Sequence, residues 1–378
     1  MPNILKLIEP LFLNKLYREL NKISDSNLGL TKKINALVSL QQKVSDIKVF
    51  DPACGSGNFL IIAYKKLRDL EIEILRRQQE LELERSGQIV STPFSLIKLT
   101  QFYGIELDDF AHEIAGLSLW LAEHQMNTIF EEIFGENTAL LPLKSSGHIV
   151  HANSLQLDWS SVCNNVDNNV FVIGNPPFQG ESRQSREQKS DLDTVFNGLS
   201  NYKKQDYISC FFLKAARYMN SSTEVAFVST SSICQGMQVG MLWPHIFSLG
   251  VEIFFCHKAF QWTNNARKQA GVYCVIIGLR YQKAGLKKIY DSGFESKVET
   301  ISPYLTDGPE ICVTRRSSVL FGLPKAMKGN GVYDGGNLLL NVHEKNEILT
   351  SDPATAKFIR PVTGTDEFIK GKNRCVYG

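Results

Sequence analysis

Apolar residues recur at spacings of three and four over residues 5–20 and again over 30–44, which predicts two amphipathic helices separated by a Ser24-Asp25-Ser26-Asn27 turn. This lead-in is read as packing material. A short apolar run at 47–50 predicts the first strand, and a helical pattern follows over about 58–85. That pattern becomes strongly charged after Glu71, so its far half is expected to be solvated. Ser86-Gly87 and Thr92-Pro93 break it. Apolar runs at 102–105, 148–152, 170–174, 225–229, 249–256 and 272–279 read as six further strands, with helical patterns over 108–127 and 206–219. On the first of these helices Ile114, Leu117, Trp120 and Leu121 form a stripe expected to face the core. Residues 179–204 are polar, charged and aperiodic, which predicts either a disordered insertion or a mobile loop over a substrate. Phe260-Gln261-Trp262-Thr263-Asn264-Asn265 reads as an aromatic-polar loop between the last two strands.

Alternation of strands and helices predicts an α/β fold, a doubly wound Rossmann-like and mainly parallel sheet with its site at the carboxyl ends of the strands. From about Gly285 the apolar runs shorten, and Asp307-Gly308-Pro309, Asp334-Gly335-Gly336-Asn337 and Arg360-Pro361 punctuate the chain. The expected organisation is a helical lead-in at 1–46, a main domain at 47–284 and part of a second domain at 285–378. There is no internal repeat.

Composition narrows the class. The 378 residues are 43% hydrophobic and 21% charged, as in soluble globular proteins. Net charge is only +2, so a nucleic-acid surface would have to be a local patch. No run approaches the roughly 18 apolar residues of a membrane span. The amphipathic start lacks a signal-peptide core, which favours the cytoplasm. The eight cysteines include no Cys-x-x-Cys pair, which argues against a zinc ribbon; Cys210, Cys256 and Cys274 lie in apolar runs and read as core. His112-Glu113 begins like a zinc-protease helix, but Gly116 stands where the second histidine would be, so no metal is assigned.

The chemistry concentrates at strand ends. Asp51-Pro52-Ala53-Cys54-Gly55-Ser56-Gly57-Asn58-Phe59 is a strand end, a tight glycine turn and a helix start. Gly55 and Gly57 allow a sharp turn and close approach of a ligand, which points to a nucleotide or nucleoside site, although such turns also occur as bare structure. Glu106 closes the second strand, where a carboxylate could accept from both ribose hydroxyls. Its distance from the glycines exceeds the usual 20 or so residues, which the long intervening helix accounts for. Asn153 follows the third strand. The fourth ends in Asn175-Pro176-Pro177-Phe178. The Asn175 side-chain oxygen and the Pro176 carbonyl can both accept from one exocyclic amino group. The prolines rigidify the turn, and Phe178 can stack on a planar base. Accepting both hydrogens steers the nitrogen lone pair toward an electrophile, so positioning does much of the work.

The glycine turn and the Asn-Pro-Pro-Phe turn, in this order, resemble the S-adenosylmethionine-dependent adenine-N6 DNA methyltransferases. More closely, the chain resembles the methyltransferase part of the MmeI-like restriction-modification enzymes. The resemblance extends to the lead-in helices, to residues 260–266, and to Asp334-Gly335-Gly336-Asn337-Leu338-Leu339 and Lys357-Phe358-Ile359-Arg360-Pro361 in what would be a target-recognition domain. It implies that Asp51, Pro52, Ala53, Cys54, Gly55, Gly57 and Phe59 form the cradle for the methionine part of S-adenosylmethionine. Glu106 would bind the ribose and Leu107 would pack on the adenine. Asn153 stands where the family often has an acidic residue that contacts the adenine amino group. Asn175, Pro176, Pro177 and Phe178 would hold a target adenine flipped out of double-stranded DNA, with Phe260 or Trp262 closing its other face. Methyl transfer of this kind needs no metal. The family carries an N-terminal nuclease, and this chain lacks a matching Asp…Glu-x-Lys site: Glu295-Ser296-Lys297 has the letters outside the context. A separate nuclease or a remaining segment of recognition domain is therefore an expected partner, and the chain is expected to be a truncated product. Alternatives are an inactive relic, or a methyltransferase acting on RNA guanine or protein glutamine, which share the Asn-Pro-Pro turn.

Overall fold

The computed structural model describes residues 2–135, 147–166, 169–262, 272–314, 322, 337–371 and 373–377. Two compact units emerge, Met1–Arg315 and Arg316–Gly378.

The first unit begins with α1 (Pro2–Ile8), a π-helical segment (Glu9–Leu13) and α2 (Asn14–Ser24), which run on without a break. Pro10 has no N–H to donate, and the wider turn absorbs that loss. Next come α3 (Leu30–Ser45), β1 (Lys48–Asp51), α4 (Asn58–Ser86), β2 (Phe102–Glu106), α5 (Asp109–Phe134), β3 (His148–His151), α6 (Trp159–Val162) and β4 (Val170–Gly174). The unit continues through α7 (Arg186–Val195), α8 (Ile208–Tyr218), β5 (Thr223–Thr230), α9 (Gly236–Phe247), β6 (Val251–Trp262), β7 (Val272–Tyr281), β8 (Lys287–Asp291) and β9 (Phe294–Val298).

All nine strands form one sheet in the order β3-β2-β1-β4-β5-β7-β6-β8-β9. The first five are parallel, β7 inserts antiparallel between β5 and β6, and β8 adds parallel to β6. The fold is the Rossmann-like α/β sheet expected from the sequence. Because helices cover both faces, the strands are apolar on both. Ile173 and Val228 face Leu7, Phe12, Leu60 and Leu67 of the lead-in and α4. Val172 and Phe227 face Trp159, Phe212 and Trp243. β8 and β9 extend this sheet beyond residue 284, and the first unit runs on to Arg315. Across the β8–β9 hairpin Glu295 pairs with Lys288 at 2.8 Å.

Three expectations are corrected. The far half of α4 is solvated on one face only: Ile72, Ile74, Leu75, Gln78 and Glu82 are buried, while Arg76, Glu80 and Leu83 to Ser86 are exposed. Its carboxylates turn inward to satisfy a strap. Glu71 accepts from Ser95 Oγ and Leu96 N, both at 2.6 Å, and Glu82 from Val90 N and Ser91 N, both at 3.0 Å. On α5 the core-facing residues are Ala115, Leu119, Ala122, Met126 and Phe130, while Leu117 and Leu121 are exposed. Small residues face inward because α5 lies close to the glycine turn; a Cβ on Gly57 would sit 3.4 Å from Ala115 Cα. Finally, residues 186–195 form α7 rather than a disordered stretch, started by a capping box between Ser185 and Gln188.

The second unit holds a three-stranded antiparallel sheet, β10-β12-β11, built from β10 (Leu339–Leu340), β11 (Ile359–Val362) and β12 (Arg374–Tyr377). It also holds α10 (Val342–Ser351), capped by Asn341, and α11 (Thr365–Lys370). No helix among the described residues is long and apolar enough to cross a membrane.

Candidate active site

Strand order reverses between β1 and β4, the place where open α/β sheets bind ligands. Asp51, Glu106, Asn153 and Asn175 stand at or just beyond the carboxyl ends of β1, β2, β3 and β4, four consecutive strands of the sheet.

The β1–α4 turn is held from within. Gly57 caps α4 in the left-handed region, with φ of 82°. Cys54 N–H donates to the Ile105 carbonyl at 3.1 Å, and Gly55 N–H donates to Glu106 Oε2 at 2.7 Å. The second oxygen of Glu106 accepts from Asp108 N–H at 2.9 Å. Each carboxylate oxygen keeps a further lone pair for a ligand hydroxyl. Leu107, next along, is 65% exposed. Cys54 and Phe59 are buried in the core behind the turn. Ala53 packs against the opposite core face. Pro52 is buried as well.

Asp51 is 1% exposed. Its Oδ1 accepts from Ala53 N–H at 3.0 Å, while Oδ2 is buried with no partner among the described residues. Burial pushes its carboxyl up to about 8; the Ala53 hydrogen bond opposes this and the nearby Glu106 charge adds to it. Only glycine fits beside it on β4, since a Cβ on Gly174 would meet Asp51 Oδ1 at 2.6 Å.

At the end of β4, Asn175 Oδ1 is likewise buried without a partner among the described residues. Pro176 is buried and Pro177 exposed. Phe178 is half-buried against the core that contains Trp159 and Tyr207. The turn is clamped after Phe178: Gln179 N–H donates to Asp206 Oδ1 at 2.9 Å, and Tyr207 N–H donates to the Gln179 carbonyl at 3.0 Å.

Asn153 belongs to a network the sequence did not reveal. Its amide nitrogen donates to both oxygens of Asp191 on α7, at 3.1 and 3.2 Å. Its Oδ1 accepts from Leu155 N–H at 2.9 Å. The only sequence signal for Asp191 was the capping box that starts its helix.

Phe260 lies within β6, not in a loop, and the Lys6 ammonium sits 4.2 Å from its ring centroid. The ring packs against the core face of the lead-in, whereas Phe178 packs against the other. The side chain of Trp262, residues 263–266 and residues 334–336 lie outside the described residues. Asp109, His112 and Glu113 bring three possible ligand atoms within 4.8 Å at the start of α5, with both carboxylates exposed. They are given no metal.

Two orphaned acceptors, a glycine cradle and an exposed leucine beside Glu106 fit a nucleoside cofactor that carries a cationic amino-acid tail. The family described as MmeI, DNA-methyltransferase domain, matches residues 26–291, and MmeI, target recognition domain, matches residues 307–377. DNA methyltransferase A of Bacillus subtilis (strain 168) is 42% identical over 375 residues, covering 98% of this chain and 41% of its own length. The structure of the Type IIL restriction-modification enzyme MmeI in complex with DNA is 40% identical, with a TM-score of 0.86, over 100% of this chain and 50% of that one. The chain thus spans half or less of the length of these relatives.

Proposed function

The chain belongs to the MmeI DNA-methyltransferase family, and on that premise we propose that it transfers a methyl group from S-adenosylmethionine to the N6 amino group of adenine in double-stranded DNA, within a restriction-modification system. One observation carries the reading: two buried side-chain oxygens with no partner among the described residues, Asp51 Oδ2 and Asn175 Oδ1, at neighbouring strand ends. A buried acceptor left unpaired costs about 1–3 kcal/mol. Two side by side fit a protein that meets donors there when it works, one from the cofactor and one from the base.

Asp51 and the turn to Gly57 would hold the methionine part, with the Asp51 carboxylate toward its ammonium group. Glu106 would take the ribose hydroxyls through its remaining lone pairs. Leu107 would cover one face of the adenine, and Asn153 Oδ1 would accept from its amino group. When bound, S-adenosylmethionine supplies an electrophilic methyl group. On the substrate side, Asn175 Oδ1 and the Pro176 carbonyl accept the two hydrogens of the target amino group, leaving its lone pair directed outward. Phe178 stacks on the base once it has left the duplex. The C-terminal unit is assigned to target recognition, in keeping with the match at residues 307–377.

Titration calorimetry with S-adenosylhomocysteine tests the cofactor half. Binding is expected, and Asp51→Ala should abolish it while the protein stays folded, since the variant loses a buried and partly unpaired carboxyl. Equally tight binding by that variant would sink the assignment.

A further inference from the structure

An asparagine amide is two-faced: one end accepts, the other donates, and the two are nearly the same shape. Asn153 can therefore read a purine amino group only if something fixes which end faces the ligand. Asp191 is 2% exposed and can do this from behind. Both its oxygens accept from Asn153 Nδ2, at 3.1 and 3.2 Å. Oδ1 also accepts from Gln156 Nε2 at 2.9 Å, and Oδ2 accepts from the Tyr207 hydroxyl at 2.6 Å. Burial, then the bond to Asp191, hold the Tyr207 hydroxyl well above its ordinary pKa, so it remains a donor. A carboxylate with three donors around it is an acceptor only, and it requires the amino end of Asn153. On the other side Leu155 N–H, at 2.9 Å, requires the carbonyl end. Both neighbours impose one orientation.

We propose that Asp191 is a positioning residue that makes Asn153 an obligate acceptor toward the 6-amino group of the cofactor's purine, and so gives the site its preference for a 6-amino over a 6-oxo purine. The inference rests on the cofactor reading above. At this strand end the chain has an amide, with a carboxylate set one layer behind it on α7. An amide at position 191 could pair with either orientation of Asn153, so Leu155 N–H alone would still favour the carbonyl end and the constraint would be weakened although the shape is kept.

The test is the ratio of affinities for S-adenosylhomocysteine and its 6-oxo counterpart, S-inosylhomocysteine, measured by calorimetry. The wild-type protein should prefer the adenosyl compound by about tenfold or more, the order expected when one hydrogen bond is exchanged for an acceptor–acceptor clash. Asp191→Asn should lower that ratio by about threefold or more, because Asn153, then held by Leu155 N–H alone, flips more readily and can donate to the 6-oxo group. The double variant Asp191→Asn with Asn153→Asp should restore the ratio, since its carboxylate at 153 accepts in any orientation. Asn153→Asp alone sets two carboxylates against each other, at 153 and 191, and should bind the adenosyl compound more weakly than the double variant. If Asp191→Asn weakens both ligands equally and leaves the ratio unchanged, the residue only braces α7 and the inference fails. It fails too if the double variant binds no better than Asn153→Asp. A wild-type protein that binds both ligands equally overturns the inference but leaves the cofactor reading standing. One that binds neither overturns both.

Discussion

At Asn175 a side-chain carbonyl oxygen is buried without a donor, and the consequence of removing it should appear in turnover. If it accepts from the target amino group, the contact strengthens as the nitrogen pyramidalises toward the methyl donor. Asn175→Ala should then lower kcat by about 10²–10³-fold, by analogy with the loss of an oxyanion donor, with cofactor affinity unchanged. Phe178→Ala should instead weaken capture of the flipped base, by about 1–3 kcal/mol of stacking, and raise KM for DNA. Asp51 makes a prediction about pH. Its folded-state pKa, about 8, is raised above the ordinary 3.8. The folded protein therefore holds this proton more tightly than the unfolded chain. The stability this gives is complete below the unfolded value and is lost as pH rises through about 8. The melting temperature of the free protein should fall between pH 5 and 8, and Asp51→Asn should flatten that fall. Affinity for S-adenosylhomocysteine should move the other way, rising toward pH 8 as the carboxylate forms, and the variant should bind weakly without that rise. Parallel pH profiles in the two proteins would remove Asp51 from the cofactor site.

Helix α4 depends on its left-handed cap at Gly57. Gly57→Ala places a side chain in a conformation that costs about 1–2 kcal/mol, and its Cβ arrives in contact with Ala115. Chemical denaturation should show a loss of that size together with weaker S-adenosylhomocysteine binding; loss of stability alone would mean that the turn is only structural. The same scale shows what could be read from the chain. The glycine turn and the Asn-Pro-Pro turn were legible because Gly and Pro fix backbone geometry locally. α7 was not, because the capping box at Ser185 is its only local signal and Asp191 is buried among partners distant in sequence, Asn153, Gln156 and Tyr207. Burial of a carboxylate reads as surface in any hydropathy pattern. The charged far half of α4 misleads in the same way: Glu71 and Glu82 satisfy backbone N–H groups of a strap that sequence periodicity cannot bring near.

Across the whole molecule, the alternation of strands and helices was enough to specify the α/β sheet. It did not specify that β7 runs antiparallel, or that β8 and β9 continue the sheet, because direction and neighbour order come from connections rather than from apolar runs. Nor did it show that Phe260 is committed to Lys6. The central claim is that this sheet presents a flipped adenine to a methyl donor. Its most direct measurement is nucleoside mass spectrometry of duplex DNA incubated with the protein and S-adenosylmethionine deuterated in its methyl group. The account predicts the label in N6-methyldeoxyadenosine, and its loss with Asn175→Ala. Label in a methylcytosine, or an adenine pool that stays unlabelled, would contradict it.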